Sequence, residues 1–373
     1  MTETFDAIVI GLGGFGSSTL YELAKRGHRV LGIEQFEIGH AKGSSHGETR
    51  IIRRAYFEHP DYIPLLDHSF RMWRELESES GANLMTLCGL VMAGPADGEA
   101  VPGVLLAKQK HGIAIDELSH AEATERFPAI RFNESHTILG EQDAGFLRVD
   151  DCVTTHIAQA EQHGATIRSS ESVVEWNASG NTIEVITDKA RYSAAKLVIA
   201  GGAWSPALLP GLNLNLTVIR KPVFWFDDTT GASRGWPVFY IEDNELSFYG
   251  LPGLKAKEIK VAEHSRGDTG SDPATVSREI TPADSDSVVN FVAESLQHVS
   301  APAIRSSVCM YCMSPDGHFY VDKHPADDNV VIAAGFSGHG FKFTPVIGSA
   351  IADLVTIGTT KLPVGFLRFD GRL

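Results

Sequence analysis

A glycine cluster set between two apolar runs restricts the fold of this chain more than any other feature. Gly11-Leu12-Gly13-Gly14-Phe15-Gly16 follows the β-branched run Ala7 to Ile10 and opens a helix-like stretch that reaches Ala24 and stops at Gly27. A second apolar run, Val30 to Ile33, ends in Glu34. Strand, glycine turn, helix, strand and acid fall within roughly 30 residues, the spacing of a β-α-β unit that cradles a dinucleotide. Gly11, Gly13 and Gly16 permit the tight turn, the close approach of a pyrophosphate and close helix packing, while the helix start supplies backbone N–H donors. An acid in the position of Glu34 can bind the ribose of FAD or of NAD, so the motif alone leaves that choice open.

Bulk properties exclude several partners. With 32 Lys and Arg against 47 Asp and Glu, the net charge of −15 repels phosphate backbones and anionic membrane surfaces, so no nucleic acid or membrane is expected. Any pocket for an anion must then rest on a few concentrated cations. The four cysteines, Cys88, Cys152, Cys309 and Cys312, are too few for a disulfide scaffold and suit a reducing compartment. Met1 to Asp6 carry no cationic leader signature, no apolar run approaches the ~18 residues of a membrane helix, and Gly371-Arg372-Leu373 is not Ser-Lys-Leu. The expectation is a cytoplasmic protein.

Further strands are expected at Ile183 to Ile186, Lys196 to Ala200 and Val330 to Ala334, the last two running into Gly201-Gly202 and Gly335-Phe336-Ser337-Gly338. Both endings suit approach to a cofactor. The expected fold is α/β, with a discontinuous Rossmann-type cofactor domain from residues 1–80, 144–217 and 309–373. Residues 81–143 and 218–308 would form a substrate domain on a mixed or antiparallel β-sheet. The polar stretch Ser265 to Asp286 reads as a surface excursion.

Four segments carry candidate chemistry. Gly43 to Arg54 packs Arg50, Arg53 and Arg54 behind a glycine-serine loop; if helical, Arg50 and Arg53 share a face able to take a carboxylate bidentately, although charge runs more often face water. Gly335 to Pro345 holds Gly338, His339, Gly340 and a lysine, Lys342, between Phe341 and Phe343, before a helix-like run whose positive end would suit a reduced flavin. Cys309-Met310-Tyr311-Cys312 matches C-x-x-C, open to a dithiol, half a zinc site or two buried small residues; no metal site is expected, since the other cysteines lack the spacing. Tyr249, Lys255, Lys257, Lys260 and His264 form a cationic run that local chemistry does not rank.

Taken in order, these segments resemble the monomeric sarcosine oxidase and N-methyltryptophan oxidase family across the whole chain. The likeness rests on Gly11 to Gly16, Gly43 to Arg53, Tyr249-Gly250-Leu251-Pro252, Cys309-Met310-Tyr311 and Gly335 to Phe343. It implies FAD, attached covalently through Cys309, with Cys312 the spare. It implies that Arg53 and Lys342 clamp a substrate carboxylate, that Tyr249 and His264 line the pocket, and that Lys260, ahead of Lys255 or Lys257, activates oxygen. His46, Thr49, Arg50 and His339 match positions next to the flavin ring, and the cofactor set is completed by Gly14, Val173, Gly201, Gly338, Gly340 and Lys342. Ala256-Lys257-Glu258 and Glu263 depart from the family's glycine-rich pattern here and add charge.

The resemblance implies an FAD-dependent oxidase of a small secondary amino acid, N-methyl or cyclic, giving an imine and hydrogen peroxide, working as a monomer on substrate and molecular oxygen. Competing readings are a dehydrogenase of the same fold with another electron acceptor, a nicotinamide enzyme, and a flavin-binding protein without turnover. Trp225, between Phe224 and Phe226, is placed either in the pocket wall or in the core.

Overall fold

The computed structural model describes residues 3–243, 245–270, 272–370 and 372. Both ends of the C-terminal tripeptide Gly371-Arg372-Leu373, the first two residues of the N-terminal stretch, and Ser271 within the 265–286 excursion lie outside the described residues.

The glycine cluster falls where its sequence placed it. Strand β1 (Glu3–Ile10) enters helix α1 (Gly14–Lys25), which returns to β2 (Val30–Ile33). β1 pairs in parallel with β2 on one side and with Arg191–Ile199 on the other. Arg191–Ile199 in turn pairs in parallel with Asp327–Ala334, and Thr166–Arg168 extends the sheet beyond β2. Buried on both faces, these parallel strands read as continuous apolar runs. The first half of Arg191–Ile199 instead takes the antiparallel hairpin of Val173–Ser179 and Thr182–Thr187. Helices α1, Ile63–Ser80, Val149–Gln162 and Thr344–Thr356 share one apolar core on one face of this sheet. At its C-terminal edge, Gly11, Glu34, Gly201 and Gly335 follow directly on four parallel strands, the end at which ligands bind in doubly wound sheets.

A second, mixed sheet of nine strands carries the other residues of interest. Thr217–Asp228 and Val299–Met313 form a long antiparallel pair, flanked by Glu258–Glu263 and Leu246–Pro252. Val238–Asp243 pairs in parallel with Leu90–Gly94, which leads to Thr137–Glu141 and Asp116–Leu118. Residues 309–313, grouped above with the cofactor domain, end a strand of this second sheet. Helix Pro282–Ser295 covers one face, and it accounts for the last part of the expected 265–286 excursion. The opposite face presents Trp225, Tyr240 and Tyr249.

One expectation fails here. Thr49–Ile52 is strand β3, not helix, in a three-stranded sheet with Gly145–Arg148 and Met85–Leu87. β-branched Thr49, Ile51 and Ile52 favour the extended chain, so Arg50 and Arg53 share no helix face. Among the described residues, no helix is long and apolar enough to cross a membrane.

Candidate active site

Two adjoining cavities lie between the sheets. The larger, about 330 Å³, is lined by Gly11, Gly13, Gly14, Glu34, Val173, Gly201, Gly338 and Gly340. Its turn can be built only from glycine. Gly11 has φ +85°, and a Cβ there would sit 2.6 Å from Ala200 O; a Cβ on Gly16 would lie 1.7 Å from Gly11 O. Gly16 does not line the cavity; it lets α1 pack against the turn. The Glu34 carboxylate accepts the Leu12 N–H at 2.8 Å, and Ser45 Oγ accepts that of Gly14 at 3.0 Å.

At the far end of this cavity Arg50 Nη2 donates to Cys309 Sγ at 3.1 Å and to Ser44 O at 3.1 Å. Burial disfavours a thiolate, yet Arg50, His46 and Lys260 outweigh it and draw Cys309 down to about 6. Cys312 sits three residues along the same strand, where alternation turns its sulfur to Gly202 O at 3.6 Å, and burial pushes it up to about 11. The C-x-x-C spacing therefore separates one activated thiol from one inert one and builds no dithiol pair. Among the described residues no His, Cys, Asp and Glu group could hold a metal ion.

The second cavity, about 70 Å³, shares Arg50, Tyr311, Gly338 and Phe341 with the first. It brings together Arg53, Lys342, Tyr249, His264 and His339, as the sequence led one to expect, and adds Phe57, Glu58 and Tyr240. Arg53 is not an open clamp: its Nη2 donates to both Glu58 oxygens, at 2.8 and 3.0 Å, and its Nη1 to Ala55 O. Lys342 Nζ donates to His339 O at 2.6 Å; burial and then Arg53 lower it to about 7, against the pull of Glu58. Burial also lowers His264 to about 3 and His339 to about 4, so both are neutral hydrogen-bonding groups near pH 7. Nδ1 of His264 faces the Tyr311 hydroxyl at 3.2 Å.

Besides Gly16, four expected residues line neither cavity: Cys309, which meets the first through Arg50, and His46, Thr49 and Lys260. His46 is 2% exposed, with its Nε2 buried and without a protein partner. Thr49 and Lys260 lie one layer behind Arg50: Lys260 Nζ donates to Gly47 O at 2.7 Å and Thr49 O at 2.9 Å. Lys260 is fully buried, whereas Lys255 and Lys257 are exposed, so of the three only Lys260 packs behind Arg50. Arg54 is a solvated arginine, paired with the exposed Asp67 at 2.7 Å. Trp225 does not reach the pocket wall; it is core, packed beside Lys260.

Residues 6–354 match the family described as FAD dependent oxidoreductase. The chain belongs to this family. Within it, the chain is 36% identical to a monomeric sarcosine oxidase of Streptomyces avermitilis, over 100% of this chain and 98% of that protein. It is 31% identical to an N-methyl-L-tryptophan oxidase of Yersinia pestis, over 93% and 94% of the two chains. The fold matches that of NikD, an unusual amino acid oxidase essential for nikkomycin biosynthesis, with a TM-score of 0.88 at 23% identity over 98% of each chain. The chain is thus a flavin-dependent oxidoreductase of the amine-oxidising class. Its residues fit FAD on three counts: a turn in which a Cβ on Gly11 or Gly16 would clash with backbone, a cavity that runs from that turn to Arg50, the hydrogen-bond partner of Cys309, and an unpartnered buried His46 nitrogen.

Proposed function

We propose that this protein oxidises a small secondary amino acid, N-methyl or cyclic, and passes the electrons to molecular oxygen. The observation that carries this reading is the junction of the two cavities. A cation pair, Arg53 and Lys342, stands on one side of Arg50, Tyr311 and Gly338, and the activated Cys309 on the other. The unit built on the first sheet would hold the cofactor, and the second sheet would wall the substrate.

Gly11 to Gly14, Glu34, Val173, Gly201, Gly338 and Gly340 would hold FAD, with Cys309 supplying its covalent thioether. When bound, FAD supplies a two-electron acceptor for the C–H bond beside the amine nitrogen. Arg53 and Lys342 bind the carboxylate, and this fixes the amine end toward the junction, the positioning share of catalysis. Arg53 must first exchange Glu58 for the substrate anion. Tyr249 and neutral His264 wall the amine without adding charge, so the reactive unprotonated amine is not repelled or trapped as an ion pair. Water then hydrolyses the product imine. For an N-methyl amino acid the balance is amine, water and dioxygen in, and demethylated amino acid, formaldehyde and hydrogen peroxide out. Arg50 would hold positive charge, and Lys260 an N–H donor fixed on the Gly47 and Thr49 carbonyls, near the place where dioxygen takes up electrons and protons.

Supply of sarcosine, N-methyl amino acids, proline and pipecolate to the aerobic holoenzyme tests this. Stoichiometric peroxide with at least one of them is the expected result; substrate-dependent bleaching of the flavin without peroxide or oxygen uptake would move the protein to another electron acceptor.

A further inference from the structure

Lys260 is the end of a cross-strand stack that the reaction as described does not use. Lys260, Trp225 and Arg305 occupy one register row on three adjacent strands, Trp225 pairing with Lys260 on one side and Arg305 on the other. The indole centroid lies 5.5 Å from Lys260 Nζ and 3.9 Å from the Arg305 guanidinium carbon, both within cation–π range. One carboxylate bridges two members of the row, while Arg305 also donates to Glu258 from Nε at 3.1 Å. Glu48 Oε2 accepts the Trp225 indole N–H at 2.9 Å and an Arg305 N–H at 2.9 Å.

Glu48 also stands between Gly47 and Thr49, whose carbonyls are the two hydrogen-bond acceptors of Lys260 Nζ. Its backbone takes φ +71°, a left-handed conformation uncommon for a residue with a side chain, and its N–H donates to Asp150 Oδ2 at 2.8 Å. A strained residue persists where its surroundings over-determine it, and here the side chain and the N–H are both held. Burial, and then Arg50, press Lys260 well below the ordinary lysine range, and Cys309, Glu48 and Asp150 oppose that fall. Removing the Glu48 charge would therefore release the loop, the indole and the lysine together.

We propose that Glu48 is a positioning residue: through Trp225, Arg305 and the Gly47 and Thr49 carbonyls it fixes the Lys260 amine in place for the oxygen half of the reaction and leaves amine oxidation alone. This rests on the reading of Lys260 as the oxygen-side donor. Two electrons and two protons then reach dioxygen beside a lysine whose place is already set, so no side-chain ordering is spent in that step.

The test separates the half-reactions in the holoenzyme: anaerobic reduction by the amine, and reoxidation by dissolved oxygen. Glu48→Gln is expected to slow reoxidation about ten-fold or more while reduction stays within about two-fold, and to lower the reduction potential of the bound flavin, a readout that needs no turnover. Trp225→Phe, which keeps a ring but loses the indole N–H, is expected to move the same two quantities less, and it serves if Glu48→Gln does not fold. Equal slowing of both half-reactions, or an unchanged reoxidation rate and potential in these variants, overturns the proposal. Normal reoxidation in Lys260→Met would instead overturn the reading beneath it.

Discussion

Arg50 Nη2 lies 3.1 Å from Cys309 Sγ, close enough to hold that sulfur as a thiolate near neutral pH, while Cys312 on the opposite side of the strand has no cation beside it. A thiolate, not a thiol, attacks an electrophile, so attachment chemistry should belong to Cys309 alone. Acid precipitation is expected to leave yellow colour on the wild-type chain and on Cys312→Ser, and to release it from Cys309→Ser. Because Cys309 ionises at about 6, attachment should speed up as pH rises through that value. Arg50→Met should move the midpoint up toward the ordinary thiol value of about 8.5, measured as bound flavin against time at several pH values.

Lys342 gives carboxylate binding a pH dependence of known sign. Burial, then Arg53, sets it at about 7, so its cation is present below that pH and is lost above it. A carboxylate inhibitor, titrated through the flavin's visible spectrum, should bind more weakly as pH rises through and beyond about 7, since the bound anion itself favours the charged lysine. Lys342→Met should remove this dependence and weaken binding by roughly ten- to hundred-fold, the scale of one charged hydrogen bond. Arg53→Ala should cost a similar factor but shift the dependence to higher pH, because it removes a repelling charge from beside Lys342. Equal pH dependence in wild type and Lys342→Met would refute the assignment.

Glu58 occupies the guanidinium that the substrate carboxylate would need. Burial opposes its ionisation, but Arg53, His339 and Lys342 prevail and hold it at about 2. A carboxylate depressed in the native chain stabilises fully above its unfolded value of about 4.3, and that stability drains away as pH falls toward its folded value. Glu58→Gln should therefore do two opposite things. Carboxylate inhibitors should bind more tightly, their competitor being gone, while the apparent Tm at pH 7 falls, with a loss on the order of 3 kcal/mol for a buried arginine left without its partner. Weaker inhibitor binding in a folded Glu58→Gln would mean that Glu58 orients Arg53 for substrate instead of competing for it.

What the sequence disclosed was local. The Gly11 to Gly16 turn and Glu34 were legible because one short segment holds the whole geometry, and Gly338, His339 and Lys342 because a strand and glycines announce them. Arg50 and Arg53 would share a face only if helical; pairing of Thr49–Ile52 with Gly145–Arg148, a hundred residues away in the chain, puts Arg50 in a strand that ends before Arg53. Lys260 could be ranked over Lys255 and Lys257 only by burial, which depends on the Thr217–Asp228 strand beside it. Glu58 and Tyr240 carry no motif, since each becomes a pocket residue only through the folding of distant segments together. Tyr311 had a signal available, its place beside the C-x-x-C cysteines.

The aromatic side chains of the second cavity also set the size of what can enter. Phe57 and Tyr240 have ring centroids 5.0 Å apart, and Tyr240 meets His264 edge-on at 5.9 Å, closing the second cavity with a continuous aromatic surface. Its volume of about 70 Å³ has room for about five waters, the scale of a compact amino acid and below that of an indole side chain. A small secondary amino acid is therefore expected to enter more readily than one that carries an indole. Wild-type kcat/KM for sarcosine or proline should exceed that for N-methyltryptophan by 100-fold or more, roughly the discrimination of one or two poorly fitted groups. Tyr240→Ala should narrow the ratio by about ten-fold or more, mainly by raising kcat/KM for the large substrate, because the cavity it opens lies away from Arg53 and Lys342. An unchanged ratio in Tyr240→Ala would place the size limit elsewhere, and Phe57→Ala would then be the variant to compare.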